Sequence, residues 1–329
     1  MSHPSRAPRG TLFAIGGAED KLKRRAVLAR FVEAAGGAEA CIVVMPTASS
    51  LGPEIVQLYD GIFRAMGAGE VVGLRPESRA DADHEGAAST VAGASGVFMT
   101  GGNQLKLSAV LTGTRLGDAI HHAYAKGAAV GGTSAGASVL SEHMVAFGPG
   151  GATPKQRMSQ LAAGLGLLPG CVVDQHFQQR NRYGRLLYLV GQSPSLLGVG
   201  VDEDTAAIVT GGRFMEVAGR GSVTIIDGHE ARSNADAARR TNPVLVSGAR
   251  LHVLPAGARF DLVDRELIGF DSLGPVEEAV GHDIEKRLRA VVHDIAVEGV
   301  GPANLRRQRR RQAWLRDVSA DDSRQGVDD

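Results

Sequence analysis

Short runs of uninterrupted apolar residues alternate along this chain with longer stretches in which apolar residues recur every three or four positions. The runs at 10–15, 41–45, 70–74, 96–100, 128–131, 170–176 and 197–201 predict buried strands, and the spacing over 21–35, 54–66, 105–111 and 116–126 predicts helices. In the first helical stretch Leu22, Ala26, Val27 and Phe31 fall on one side. Strands that are apolar throughout and separated by helices predict a mostly parallel α/β sheet covered by helices on both faces. Such sheets bind ligands at the carboxyl ends of their strands. Glycine-rich turns close several of those ends here, at Gly16-Gly17, Gly101-Gly102 and Gly131-Gly132.

After about residue 211 the texture changes. Residues 214–217 and 222–226 flank Gly219-Arg220-Gly221 and predict a β-hairpin, and 244–254 predict further strand. The organisation expected is an α/β domain over 1–265 followed by an extension over 266–329, partly helical or disordered. The extension holds the basic run Arg306-Arg307-Gln308-Arg309-Arg310-Arg311.

Composition narrows the function classes. The chain has 329 residues, 43% of them apolar, with formal net charge +0. A globular protein follows, without a global field to attract nucleic acid or an anionic membrane. The basic run is read as a solvated helix face or tail, because Trp314 alone supplies no aromatic interleaving for single-strand binding. The two cysteines, Cys41 and Cys171, lie in apolar runs and read as buried thiols, with no disulfide framework or zinc spacing. The polar stretch before residue 10 lacks a signal-peptide core, and nothing approaches roughly 18 uninterrupted apolar residues. A cytoplasmic protein without membrane or nucleic-acid partners is the expectation. No Gly-x-Gly-x-x-Gly or Gly-Lys-Ser/Thr follows a strand, which argues against nucleotide binding.

The candidate chemistry centres on Gly132-Thr133-Ser134-Ala135-Gly136, a Gly-x-Ser-x-Gly pattern between a short apolar strand and a helix-compatible segment. A serine in such a strand-to-helix turn has its hydroxyl pushed outward, and the close backbone approach demands small neighbours. Serine needs a base. Of ten histidines, His176 stands out, because it ends an apolar strand through Asp174-Gln175-His176 and so belongs at the same sheet edge as Ser134. An orienting acid is also needed. Strand 197–201 ends in Asp202-Glu203-Asp204, where alternation separates Glu203 from both aspartates without choosing among the three. The trio lacks the oxygen-ligand spacing of a cation loop, and no metal is expected. Oxyanion donors are expected at the N–H of Ala135 and in the Gly101-Gly102-Asn103 turn. The order serine, histidine, acid argues against an α/β-hydrolase.

Taken together, these residues resemble the cyanophycinases, serine exopeptidases related to α-aspartyl dipeptidases. The likeness is carried by Gly16-Gly17-Ala18-Glu19-Asp20, Pro46-Thr47-Ala48-Ser49, Thr100-Gly101-Gly102-Asn103-Gln104, the Ser134 turn, Asp174-Gln175-His176-Phe177 with Arg180, Arg182 and Arg185, and Gly200-Val201-Asp202-Glu203-Asp204-Thr205-Ala206. It spans most of the first 265 positions. The resemblance implies a flavodoxin-like, doubly wound core, Ser134 as nucleophile, His176 as base and Glu203 as acid. It further implies hydrolysis of cyanophycin, a poly-aspartate whose side-chain carboxyls carry arginines, to β-Asp-Arg dipeptides, with no cofactor and as a homodimer. Gln104, Asp174, Gln175, Arg180, Arg182 and Arg185 then become substrate-binding candidates, since arginine forks match carboxylates. Asn103 departs from the resemblance, standing where an acidic residue is expected. The alternative activity is that of a dipeptidase on small Asp-Xaa peptides.

Overall fold

Most of the apolar runs become strands, and in several of them neighbouring side chains enter two different cores, as Phe98 and Met99 do. The computed structural model describes residues 10–23 and 25–271. The elements begin β1 (Thr11–Ile15), α1 (Ala26–Ala34), β2 (Cys41–Met45), α2 (Glu54–Ala65), β3 (Glu70–Gly73), α3 (Arg79–Ala82), α4 (Glu85–Ala92) and β4 (Gly96–Met99). They continue through α5 (Gln104–Leu111), α6 (Arg115–Ala125), β5 (Ala129–Thr133), α7 (Ala135–Ser138), β6 (His143–Phe147), β7 (Gln160–Ala163), β8 (Cys171–Gln175), α8 (Tyr183–Gln192) and β9 (Leu197–Val201). The last strands are β10 (Thr205–Thr210), β11 (Phe214–Gly219), β12 (Ser222–Asp227), β13 (Arg232–Ser233), β14 (Val246–Ser247), β15 (Arg250–Pro255), β16 (Ala258–Asp261) and β17 (Glu266–Phe270).

The large sheet has nine strands in the order β17-β16-β11-β10-β1-β5-β4-β2-β3. β1, β5, β4, β2 and β3 run parallel to their neighbours, while β10, β11, β16 and β17 add antiparallel. Phe13 and Ile15 of β1 pack with α1 and α2 on one face, in a core that includes Phe31, Tyr59, Phe63 and Phe98. Leu12 and Ala14 face the opposite core, with α5, α6 and α7. Phe31 and Phe98 meet edge to face, with ring centroids 5.2 Å apart, a geometry aromatic quadrupoles favour.

The sheet is therefore mixed, and this corrects the expectation of one mostly parallel sheet. β8 and β9 are parallel to each other but belong to a separate four-stranded sheet, β15-β12-β9-β8. That sheet packs Val173, Val199, Val201, Val223 and Ile225 into the core shared with Val209, Met215, Val217 and Phe260 of the large sheet. Its outer face is covered by Leu186, Leu189 and Val190 of α8. The hydropathy pattern could not reveal this, because a strand buried on both faces reads alike in one sheet or in two stacked sheets. The edge of β1 away from β5 is taken by β10, which pairs from Thr11↔Thr210 to Ile15↔Ala206.

Two further expectations are corrected. The hairpin of 214–217 with 222–226 does not form. β11 is flanked by β10 and β16, and β12 by β9 and β15, so neither has a free edge for the other; the chain crosses between sheets at Gly219–Gly221. The helix expected from Lys21 begins only at Ala26, because Asp20 takes the N–H groups of Leu22, Lys23 and Arg25 on its carboxylate at 3.0, 3.0 and 3.3 Å, an alternative to helical pairing. The short helices α3 and α4 carry no signal read from the sequence; Ser78 caps α3 with a capping box. β17 pairs with β16, so the folded body continues past residue 265. The rest of the expected extension, including the basic run at 306–311, lies outside the described residues. Among the described residues, no helix is long and apolar enough to cross a membrane.

Candidate active site

The turn after β5 places Ser134 at φ 53° and ψ −107°, a conformation L-residues rarely adopt unless their surroundings impose it. The small neighbours are required by contact: a Cβ at Gly132 would lie 2.4 Å from the Gly136 carbonyl carbon. Ser134 donates its N–H to Ile15 O at 2.9 Å, which ties the turn to the end of β1. Its hydroxyl stands 3.0 Å from His176 Nε2.

His176 follows β8 directly. It is fully buried, has a left-handed φ of 46° and donates its N–H to Gly16 O at 2.8 Å. Gly17, at φ +99°, lies against the imidazole, where a Cβ would approach His176 Cε1 to 2.3 Å. On the far side His176 Nδ1 meets Glu203 Oε1 at 2.6 Å. Burial pushes the imidazole below the ordinary histidine range of 6.5, as do the charges of Arg180 and Arg182, while the Glu203 hydrogen bond opposes this. A neutral ring able to accept a proton results.

The three carboxylates after β9 have separate partners. Glu203 faces the imidazole. Asp202 accepts hydrogen bonds from the N–H groups of Gln178 at 3.0 Å and Ser222 at 3.1 Å. Asp204 accepts from the N–H of Asp20 at 2.7 Å. The N–H of Glu203 itself is held by Gln179 Oε1 at 3.0 Å.

Ser134 and His176 open onto a cleft of about 420 Å³, lined also by Gly101, Gly102, Asn103, Gln104, Gln175, Arg180, Arg182 and Arg185. A Cβ at Gly101 would lie 3.4 Å from Ser134 Cβ and 4.0 Å from its hydroxyl, so this turn borders the serine. Ala135 is the first residue of α7, whose N–H has no intrahelical acceptor by geometry. Asn103 caps α5, accepting the N–H of Leu105 at 2.9 Å. Gln104 donates to the carbonyls of Val145 and Ala146 at 3.1 Å.

Asp174 differs from the other binding candidates. It is fully buried behind the cleft wall. Arg185 donates Nε to Asp174 Oδ2 at 2.6 Å and Nη2 to Oδ1, while Arg182 donates to Oδ1 at 3.2 Å. Arg182 also donates to Gln175 Oε1 at 2.9 Å, and Arg185 to Gly148 O at 2.7 Å. Burial brings the Arg182 guanidinium down to about 10, still charged at neutral pH. The forks are thereby held by Asp174 in the lining of the cleft.

Glu19, Lys21, Tyr59 and Thr133, to which the sequence assigns no role, join one another in the lining of the same cleft. Glu19 lies in the Gly16–Asp20 stretch already singled out, so a charged residue at a strand's carboxyl end was the available signal; Tyr59 carried none. Of the cysteines, Cys171 is buried and its thiol is pushed up to about 12 by burial, whereas Cys41, at the start of β2, is half-buried. No cluster of metal-ligating side chains occurs among the described residues.

A buried imidazole stands between a serine of unusual backbone and a carboxylate, on a mixed α/β scaffold, the arrangement that nucleophilic serine hydrolases share. The chain belongs to peptidase family S51, whose family model matches residues 12–217. It is 42% identical over 263 residues to a cyanophycinase of Synechococcus elongatus, covering 79% of this chain and 82% of that relative. A cyanophycinase of Trichormus variabilis is 40% identical over 268 residues, covering 80% and 90%, and one of Geminocystis herdmanii is 38% identical over 255 residues, covering 77% and 94%. Among solved structures, a peptidase from an acI-B1 Actinobacterium shares the fold, with TM-score 0.57 and 22% identity over 78% of this chain and 98% of that one.

Proposed function

We propose that this protein is a cyanophycinase that releases β-Asp-Arg dipeptides from cyanophycin through Ser134, His176 and Glu203. The observation carrying this reading is the 3.0 Å Ser134–His176 contact at the floor of a cleft walled by three arginines. Ser134 Oγ attacks a backbone carbonyl of the poly-aspartate chain while His176 Nε2 takes its proton. Glu203, on Nδ1, fixes the tautomer and stabilises the imidazolium that forms. Negative charge on the tetrahedral oxygen is received by the N–H groups of Ala135 and the Gly101-Gly102 turn. The imidazolium protonates the leaving amine, an acyl-enzyme remains, and His176 then activates water to release it.

The substrate displays free arginine carboxylates in dense succession. Arg180, Arg182, Arg185 and Gln175 offer donors for them, and bidentate guanidinium–carboxylate pairs are strong and directional; Gln104, whose amide N–H groups are taken by the carbonyls of Val145 and Ala146, has its side-chain carbonyl to offer the substrate's guanidinium groups. We assign Asp174 to holding Arg182 and Arg185 rather than to touching substrate. Such a site needs no cofactor, and a homodimer remains part of this reading through the resemblance alone.

The test is mass spectrometry of the products formed from purified cyanophycin, with Asp-Xaa dipeptides assayed beside it. Release of β-Asp-Arg, with the dipeptides cut poorly, is the expected result. Cleavage of the dipeptides alone makes this a small-peptide dipeptidase and overturns the reading.

A further inference from the structure

Three groups from two stacked sheets must meet at one point, and the short loop after β1 touches all of them. Ile15 O accepts the N–H of Ser134 at 2.9 Å, and Gly16 O accepts the N–H of His176 at 2.8 Å. Gly17 O accepts the N–H of Asp204, next to Glu203, at 2.9 Å. Those are backbone ties. Glu19 adds a side-chain tie. Its carboxylate accepts Thr133 Oγ1 at 2.5 Å, and Thr133 is the residue immediately before Ser134. The same carboxylate accepts Tyr59 OH of α2 at 2.5 Å and pairs with Lys21 Nζ at 2.7 Å.

A buried anion is costly unless every lone pair is used. Glu19 is 1% exposed at its side chain and Lys21 7%, yet both stand in the wall of the cleft that holds Ser134. Burial alone would raise the Glu19 carboxyl; Lys21, Thr133 and Tyr59 outweigh this and keep it below the ordinary range. A charge maintained there at such cost needs a task that an apolar residue would not perform. The unusual backbone of Ser134 supplies one, because a conformation of that kind persists only where neighbours over-determine it.

We propose that Glu19, acting through Thr133, is a positioning residue that aligns Ser134 with His176 across the junction of the two sheets. Lys21 and Tyr59 hold the carboxylate in place. This rests on the reading of Ser134 as nucleophile and extends it to residues outside the triad.

Thr133→Val removes the hydroxyl at nearly constant volume, and Thr133→Ser keeps it. The rate at which a small fluorophosphonate labels Ser134, kcat and KM on cyanophycin, and the thermal unfolding midpoint would be measured for both and for the unaltered chain. Thr133→Val is expected to slow labelling and lower kcat together by about tenfold to a hundredfold with KM within about twofold, because misplacement near 1 Å costs on that order. Thr133→Ser is expected to restore both rates. Glu19→Gln should act in the same direction. Parental labelling and kcat in Thr133→Val overturns the proposal. So does a loss explained by the unfolded fraction and shared by Thr133→Ser. If the unaltered chain leaves cyanophycin intact, the substrate reading fails, while the labelling rates still decide the role of Glu19.

Discussion

His176 Nδ1 stands 2.6 Å from Glu203 Oε1, although His176 follows β8 and Glu203 follows β9, the parallel pair at one edge of the smaller sheet. Parallel neighbours present their carboxyl ends side by side, so two residues distant in sequence share one rim. Replacing Glu203 by Gln preserves shape but withdraws the charge that stabilises imidazolium. The expected result is a fall in kcat of about two to four powers of ten, with unfolding unchanged, since analogous acids are worth up to about 10⁴.

Ser134→Ala is expected to reduce turnover by about four to six powers of ten while circular dichroism and the unfolding midpoint stay at their parental values. Dipeptide release at a parental rate by this variant removes Ser134 from the chemistry.

Gly17→Ala tests the close approach to the imidazole. The added methyl needs space occupied by His176 Cε1 and a φ of +99°. We expect kcat to fall by about a hundredfold as the ring is displaced from Ser134, with less effect on KM. Unaltered kcat in a folded variant shows that the loop yields without moving the ring.

The pH dependence follows from the lowered His176 pKa, whose largest cause is burial. The neutral ring is the active form, so kcat/KM should rise with pH to a plateau, with its midpoint below 6.5. For stability the sign is the same. The unfolded chain binds this proton more readily than the folded one, so the contribution is complete above about 6.5 and is lost as pH falls through the folded value. A kinetic midpoint above 6.5 contradicts the assignment of the base.

Asp174→Asn withdraws the anion that holds two buried guanidiniums, with Arg182 and Arg185 side chains 10% and 4% exposed. A loss of about 3–5 kcal/mol in urea unfolding is expected, as for other broken buried pairs. Arg180→Ala, by contrast, should raise KM for cyanophycin with little change in the unfolding midpoint. The opposite pattern would exchange the two roles.

Much of this molecule is local in origin. The strand runs, most helices and the serine turn depend on hydrophobic period and on glycine and alanine spacing within a few residues, and they appear in the structure near their expected positions. The Ser134 turn was legible because its steric demand falls on adjacent residues. Which strands share a sheet is a different kind of question. β8 and β9 begin with apolar runs that nothing local distinguishes from β2, yet β10 holds the edge of β1 while they pair in a second layer. Asp202, Glu203 and Asp204 likewise look equivalent along the chain. Their difference arises from what each one meets: the N–H groups of Gln178 and Ser222, the imidazole, and the loop at Asp20. Hydrophobic pattern reports how deeply a segment is buried. Partners contributed by distant segments, such as Thr133 for Glu19 or Asp174 for Arg185, are decided only when the layers close and each buried polar atom must find a mate.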